Sequence, residues 1–279
     1  MTSKTAGTSQ AAGLDHVGVA GRDLAELAEA FSRIGFTVTP RAIHAGGRTG
    51  NHCVMLDGAY IELMAVVEGG TSATIDRFLA RYAGIHTLAF TITDQAAVTA
   101  RLHRAGIEAP EAVVSDRAVD ASDPEGPRAR FTLITPPDIP EGRVHLIRHL
   151  TPDALWQPRF LAHPNQAMGL TEVLIAAVSP AETAARLSRV AGRSLVPAPA
   201  AGYALNLPRG RVRIVPPSAA VLGGRAAPCL PWIAGVTVTT RDANAAVTGL
   251  LTERGVLFRT EGNAVLVDVA GTGIRFVPG

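Results

Sequence analysis

LDHVGVAGRDLAELAEAFSRIG, residues 14–35, carries the architecture of this chain in miniature. The valine-rich LDHVGVA suits a strand. Asp23 stands at a helix N-cap position, and Leu24, Leu27, Ala28, Phe31 and Ile34 recur at helical spacing until Gly35 supplies a left-handed stop. The same pattern returns as IHTLAFTITDQAAVTARLHRAG from Ile85, LTEVLIAAVSPAETAARLSRVAG from Leu170 and IAGVTVTTRDANAAVTGLLTERG from Ile233. Each copy closes on a matching strand: AYIELM at 59–64, GRVHLI at 142–147, GRVRIV at 210–215 and TGIRFV at 272–277. Repetition of whole supersecondary units sets the architecture before any motif is considered. Four modules in 279 residues pair naturally into two domains.

A hydrophobic fraction of 47% against 18% charged residues is enough material for two cores. Net charge is +2 and the arginines are scattered, which argues against a nucleic-acid or membrane partner. Cys53 and Cys229 lie in different modules, so neither a disulfide framework nor a C-x-x-C site is expected. No apolar run approaches the ~18 residues of a spanning helix, and the chain reads as soluble and cytoplasmic. Residues 1–13, MTSKTAGTSQAAG, read as a disordered tail. The first domain is expected over 14–150, a proline-bearing connection over 151–169, and the second domain over 170–279. Asp57-Gly58 marks a hairpin turn. The segment 66–83 spaces Ile75, Phe78, Leu79 and Tyr82 as an amphipathic helix joining the first two modules. The polar insert 114–130 suits either a binding loop or a passive surface loop.

The repeat resembles the βαβββ module of the vicinal oxygen chelate superfamily, which includes glyoxalase I, extradiol dioxygenases and fosfomycin resistance proteins. The resemblance implies an α+β fold in which two modules curl a mixed sheet into a cup, giving two cup-shaped domains. Residues 14–177 are more closely similar to the bacterial glyoxalase-like domain family. That likeness rests on LDHV…DL, Thr49 and Asn51 before a strand, the YIEL strand, and His163-Pro164-Asn165 followed by a glycine.

Period-two alternation then assigns faces. Ile61 and Leu63 suit the core, leaving Tyr60, Glu62 and Met64 to the cup; Val17 and Val19 suit the core, leaving His16, Gly18 and Ala20 to the cup. In the superfamily, the positions of His16 and Glu62 hold metal ligands, and aligning GRVHLI with AYIELM sets His145 opposite Glu62. The fourth position stays open. His86 suits a strand of the glyoxalase I type, while the internal repeat puts Thr87 there. His149 replaces His145 if the register slips by an even step. Two histidines and a carboxylate suit iron, manganese, nickel, cobalt or zinc.

The resemblance implies a metal-dependent enzyme acting on a small oxygenated molecule, by isomerase, lyase or dioxygenase chemistry, with Glu62 catalytic. Tyr60, Asn51, His52 and Met64 are the candidate substrate contacts. The alternative is a metal-free protein that sequesters a small molecule. The chain is expected to be a monomer, or a homodimer without shared sites. In the second cup the position of His16 becomes Glu172 and Gly235, and that of Glu62 becomes Arg213 and Arg275. An internal ion pair is the simplest use of these, an anion pocket the sharper one, and a degenerate structural copy is expected.

Overall fold

The computed structural model describes residues 8–220 and 226–279. Each of the four repeats forms a β-α-β-β-β unit. The first holds β1 (Gly13–Ala20), α1 (Leu24–Arg33), β2 (Ala42–Ile43), β3 (Thr49–Leu56) and β4 (Ala59–Val66). A connecting helix, α2 (Ala73–Arg81), leads to the second unit: β5 (Gly84–Thr91), α3 (Gln95–Arg104), β6 (Val113–Ala118), β7 (Arg128–Ile134) and β8 (Arg143–His149). One-turn helices α4 (Pro152–Leu155) and α5 (Pro158–Leu161) precede the third unit. It comprises β9 (Ala167–Ala176), α6 (Pro180–Ala191), β10 (Leu195–Ala198), β11 (Gly202–Asn206) and β12 (Arg211–Val215). The fourth has β13 (Trp232–Thr240), a π turn at Ala243–Val247 running into α7 (Thr248–Glu253), then β14 (Arg259–Glu261), β15 (Ala264–Val269) and β16 (Thr272–Pro278).

The helices begin where the sequence offers a cap. Asp23 accepts hydrogen bonds from the amides of Ala25 and Glu26 at 2.7 and 3.0 Å, and Asp94 and Asp242 do the same for Ala97 and Ala245. In the third unit, helix α6 starts on Pro180 and stops at Gly192, whose φ of 69° is the left-handed conformation of a helix end.

In every unit the first strand pairs parallel with the last: β1 with β4, β5 with β8, β9 with β12 and β13 with β16. Units join through antiparallel pairs of their first strands, β1 with β5 and β9 with β13. A single pairing of Ile85 with Ile233 links β5 to β13, so one open mixed sheet runs through the molecule. Helix-facing residues of the central strands, Val17, Ile61, Leu63, Leu88, Phe90, Leu146, Val173 and Val236, form the main core with Leu27 and Phe31 of α1. The other sheet face is left to line concavities.

Two segments differ from the sequence reading, and the connection has partners the sequence reading did not give it. Residues 8–13, expected in a disordered tail, are tied down: the Ala11 and Ala12 amides donate to Ala191 and Thr91 carbonyls at 2.9 and 2.7 Å, and Ala11 is buried. The rest of that tail, residues 1–7, lies outside the described residues. The two ends of the insert 114–130 are not loop but strands of the hairpin β6–β7, because backbone pairing from Val113 to Ala118 satisfies groups a loop would leave to water. The connection 151–169 is clamped by its His-Pro-Asn. His163 accepts from the Thr37 amide at 3.0 Å and donates to the Met55 carbonyl at 2.7 Å. Asn165, fully buried, donates to the Ile34 carbonyl and accepts from the Ala167 amide.

Candidate functional site

The concave face of the first two units encloses a cavity of about 380 Å³, lined by alternate residues of β4, β6, β7 and β8 together with α2. His16, Tyr60, Glu62, Met64, Thr87 and His145 all line it. Strand register explains the convergence. On the parallel pair β1–β4, His16 stands beside Tyr60 and Glu62 is two residues on; on β5–β8, Thr87 stands beside Arg143 and His145 is two residues on. His16 is therefore equivalent to Thr87, and Glu62 to His145.

His16 is buried between two carboxylates. Its Nδ1 donates to Asp15 Oδ1 at 2.8 Å, and its Nε2 faces Glu62 Oε2 at 3.8 Å. Its ring stacks on Tyr60 at 4.5 Å and 23°, and lies 6.2 Å from the His145 ring. Asp15 reaches His16 through a bulge. Leu14 pairs with Phe90 and His16 with Ala89, so Asp15 is an extra residue whose side chain is re-aimed. It also accepts from His149 Nε2 at 3.1 Å and Thr91 Oγ1 at 3.0 Å. Burial alone would raise the Asp15 carboxyl, but hydrogen bonds from His149 and His16, and their charge, hold it well below the usual carboxylate range.

Glu62 is held the same way. Its Oε1 accepts from Asn51 Nδ2 and from His44 Nε2, the latter at 3.3 Å. Burial opposes its ionisation, yet the His44 bond and the charges of His44, His16 and Arg117 bring its carboxyl far below normal. Burial, followed by the charges of His16 and Arg143, pushes His145 down to about 3, so this imidazole is neutral at physiological pH. Its Nδ1 is engaged with Thr135 Oγ1 at 2.9 Å, leaving Nε2 to the cavity.

Two candidates lie elsewhere. His86 is sandwiched between Phe78 and Tyr82, with ring centroids at 4.7 and 4.0 Å, and donates Nε2–H to the Tyr82 carbonyl at 2.8 Å. It is not among the residues lining the cavity; its repeat-equivalent neighbour Thr87 is. His52 pairs across β3–β4 with Leu63, on the core face, and donates to the Thr39 carbonyl at 2.7 Å. Asn51 and Cys53 oppose Met64 and Glu62 and so share their face. His149 joins the assembly through Asp15 rather than from inside the cup.

Sequence reasoning missed Asp15, His44 and Arg117. The bulge inverts the alternation that would turn Asp15 away, His44 comes from a loop with no period, and Arg117 belongs to the hairpin read as a loop. Among the described residues, no three His, Cys, Asp or Glu side chains are grouped closely enough to enclose a metal ion.

The sequence matches the glyoxalase-like domain family over residues 14–191. The chain belongs to this family. No curated protein matches it. Among solved structures it is similar to a hypothetical protein from Staphylococcus aureus, with a TM-score of 0.68, 15% identity, and coverage of 95% of this chain and 98% of that one. It is also similar to a mutant 4-hydroxymandelate synthase from Streptomyces coelicolor, with a TM-score of 0.64, 13% identity and coverage of 96% and 92%. A third likeness is to the Mn(II)-bound glyoxalase from Novosphingobium aromaticivorans, with a TM-score of 0.56, 13% identity and coverage of 96% and 82%. At these identities the likeness shows the vicinal oxygen chelate fold that the glyoxalase-like domain shares with them.

Proposed function

We propose that the first cup holds a divalent metal ion through His16, Glu62 and His145, and that the chain is an enzyme acting on a small oxygenated organic molecule. The orientation of His16 carries this reading. His16 Nδ1–H donates to Asp15, which turns Nε2 towards an ionised carboxylate oxygen at 3.8 Å. A buried imidazole nitrogen held against a carboxylate oxygen is satisfied by a proton or a metal cation between the two atoms. Donors bound to one ion at ~2.0–2.2 Å lie about 3–4 Å apart, a spacing this pair satisfies. On this reading neutral His145, whose ring lies 6.2 Å from that of His16, would close on the ion to complete a two-histidine, one-carboxylate set, suited to iron(II) and open to manganese, nickel, cobalt or zinc. When bound, such an ion supplies Lewis acidity to adjacent oxygens of a substrate.

The chain's own residues prepare the site. Asp15 fixes the His16 tautomer and Tyr60 restrains its ring, an arrangement typical of ligands oriented from behind. Asn51 and His44 occupy one oxygen of Glu62 and leave the other to the cavity. Lyase or isomerase chemistry asks Glu62 to accept a proton, for which its second oxygen, Oε2, is free of His44 and Asn51; oxygen insertion asks no proton of it. Phe78, Phe131 and Leu133 offer apolar walls, and Ser115, Arg117 and Thr87 polar ones. That lining suits a molecule with an apolar body and an oxygenated head. Since α2 returns the chain from the first unit to the second, the cup is completed within one chain.

Metal analysis of untagged protein tests the reading. The expected result is about one equivalent of a transition metal, falling below about a tenth in His16→Ala and Glu62→Ala with circular dichroism unchanged. Failure of the wild type to retain or take up iron(II), manganese, nickel, cobalt or zinc overturns it. Oxygen consumption by the iron(II) form selects dioxygenase chemistry; turnover without oxygen selects the lyase or isomerase branch.

A metal-free binding protein is the second reading, favoured by the lack of three grouped donor side chains among the described residues. On that reading His16→Ala and Glu62→Ala keep their affinity for a ligand.

A further inference from the structure

The second pair of units encloses its own cavity, of about 780 Å³, on the face equivalent to the first cup. Its chemistry is inverted. Glu172, at the position equivalent to His16, accepts from Arg211 Nε at 2.6 Å and from Arg213 Nε at 3.0 Å. Arg213 and Arg275 stand where Glu62 and His145 stand in the first cup, each two residues beyond the residue beside the His16-equivalent position. Glu172 is the only acid among the described residues lining the cavity, against the guanidiniums of Arg211, Arg213 and Arg275.

Glu172 accounts for two of the three arginines and leaves both with donors to spare, since a guanidinium carries five N–H groups. Arg275 is different. Its Nε is buried and has no hydrogen-bond partner among the described residues. A buried charged donor without an acceptor costs far more than one that is paired. An internal ion pair explains Glu172 with Arg211 and Arg213, but not a third cation turned into the same concavity. Positive charge in excess, forked donors and a low-dielectric wall are what an oxyanion requires.

We propose that the second cup is an anion-binding site, taking a small molecule through a carboxylate or phosphate group held by Arg275 with Arg213 and Arg211. Glu172 acts as a positioning residue that aligns two of the guanidiniums and keeps the empty site from carrying three unopposed charges. The first cup thus offers lone pairs to a cation, while the second offers cations to an anion on the same scaffold.

Titration calorimetry at low salt tests this, with inorganic phosphate and malonate as separate probes. At least one probe is expected to bind saturably, with a dissociation constant below about 10 mM. Arg275→Gln is expected to weaken it about tenfold or more, and Arg275→Lys less, since lysine keeps the charge but not the fork. Preference for phosphate or for malonate identifies the oxyanion class. Arg211→Gln, at a half-exposed side chain, gives a second loss of affinity should Arg275→Gln unfold. His16→Ala is expected to leave binding unchanged, which separates this site from the first cup. The proposal is overturned if neither probe saturates, or if both arginine variants, folded by circular dichroism, bind as the wild type does.

Discussion

Asp15 grips His16 from behind, Oδ1 to Nδ1 at 2.8 Å, because it is the extra residue of a bulge in the strand that carries both. The contact decides which imidazole nitrogen meets the cup. Asp15→Asn replaces an acceptor-only carboxylate with an amide whose NH2 group can present donors to His16 and His149, which favours the wrong tautomer of His16. The expected outcome is a 10–100-fold loss of metal affinity, measured by calorimetry, with the fold intact. Unchanged affinity would remove Asp15 from the site.

How much of this was legible in the sequence follows from what alternation records. The pattern of Ile61 and Leu63 against Glu62 and Met64 identifies both faces of β4, because a flat strand has no other option. The repeat register likewise favoured Thr87 over His86. Alternation fails at bulges and off strands. Asp15 sits at a bulge, and His44 sits in a turn where no period exists. Arg117 was hidden for another reason: β6, VVSDRA, sets two exposed valines side by side ahead of polar residues, so it lacks the apolar–polar alternation by which strands are recognised.

His86 carries a pH dependence of stability. Burial between two aromatic rings lowers its imidazole to about 4 from 6.5. Above pH 6.5 it is neutral in both folded and unfolded chains and no proton is linked to folding. As pH falls from 6.5 towards 4, the unfolded chain takes the proton first, so stability is lost across that window, by at most about 3 kcal/mol. Urea midpoints at pH 7.5 and pH 5 check this. His86→Phe keeps the stack but cannot titrate, so its midpoint should fall less than that of the wild type. Equal falls would show that the acid sensitivity lies elsewhere.

Asn165 ties the connection to the first unit. Its side chain donates to the Ile34 carbonyl at 2.9 Å and accepts from the Ala167 amide at 3.1 Å, with no exposure to solvent. Asn165→Ala leaves both backbone groups buried without partners, at about 2–4 kcal/mol, visible as a lower urea midpoint. Asn165→Asp keeps the acceptor but sets a carboxylate oxygen against the Ile34 carbonyl in a buried site, and should lose at least as much. A loss below about 0.5 kcal/mol in Asn165→Ala would mean that water replaces the amide.

The floor of the first cup depends on a missing side chain. Gly18 pairs with Glu62 across β1–β4, and a Cβ there would lie 2.6 Å from Met64 Cε and 2.8 Å from Thr87 Cβ. The methionine tip can move, but Thr87 Cβ is fixed to β5, so β1 must shift against a neighbour. Gly18→Ala is expected to cost about 1–3 kcal/mol and to weaken metal binding, since the shift reaches His16 and Glu62 together. Gly249, in α7, gives the opposite case: it is exposed, and a Cβ there meets nothing within 4 Å. Gly249→Ala should stabilise by about 0.5–1 kcal/mol through helix propensity and lower entropy of the unfolded chain. One methyl group thus carries opposite signs at two glycines. Thermal unfolding of both variants beside the wild type reads both at once, and equal shifts in the same direction would refute the close contact claimed at Gly18.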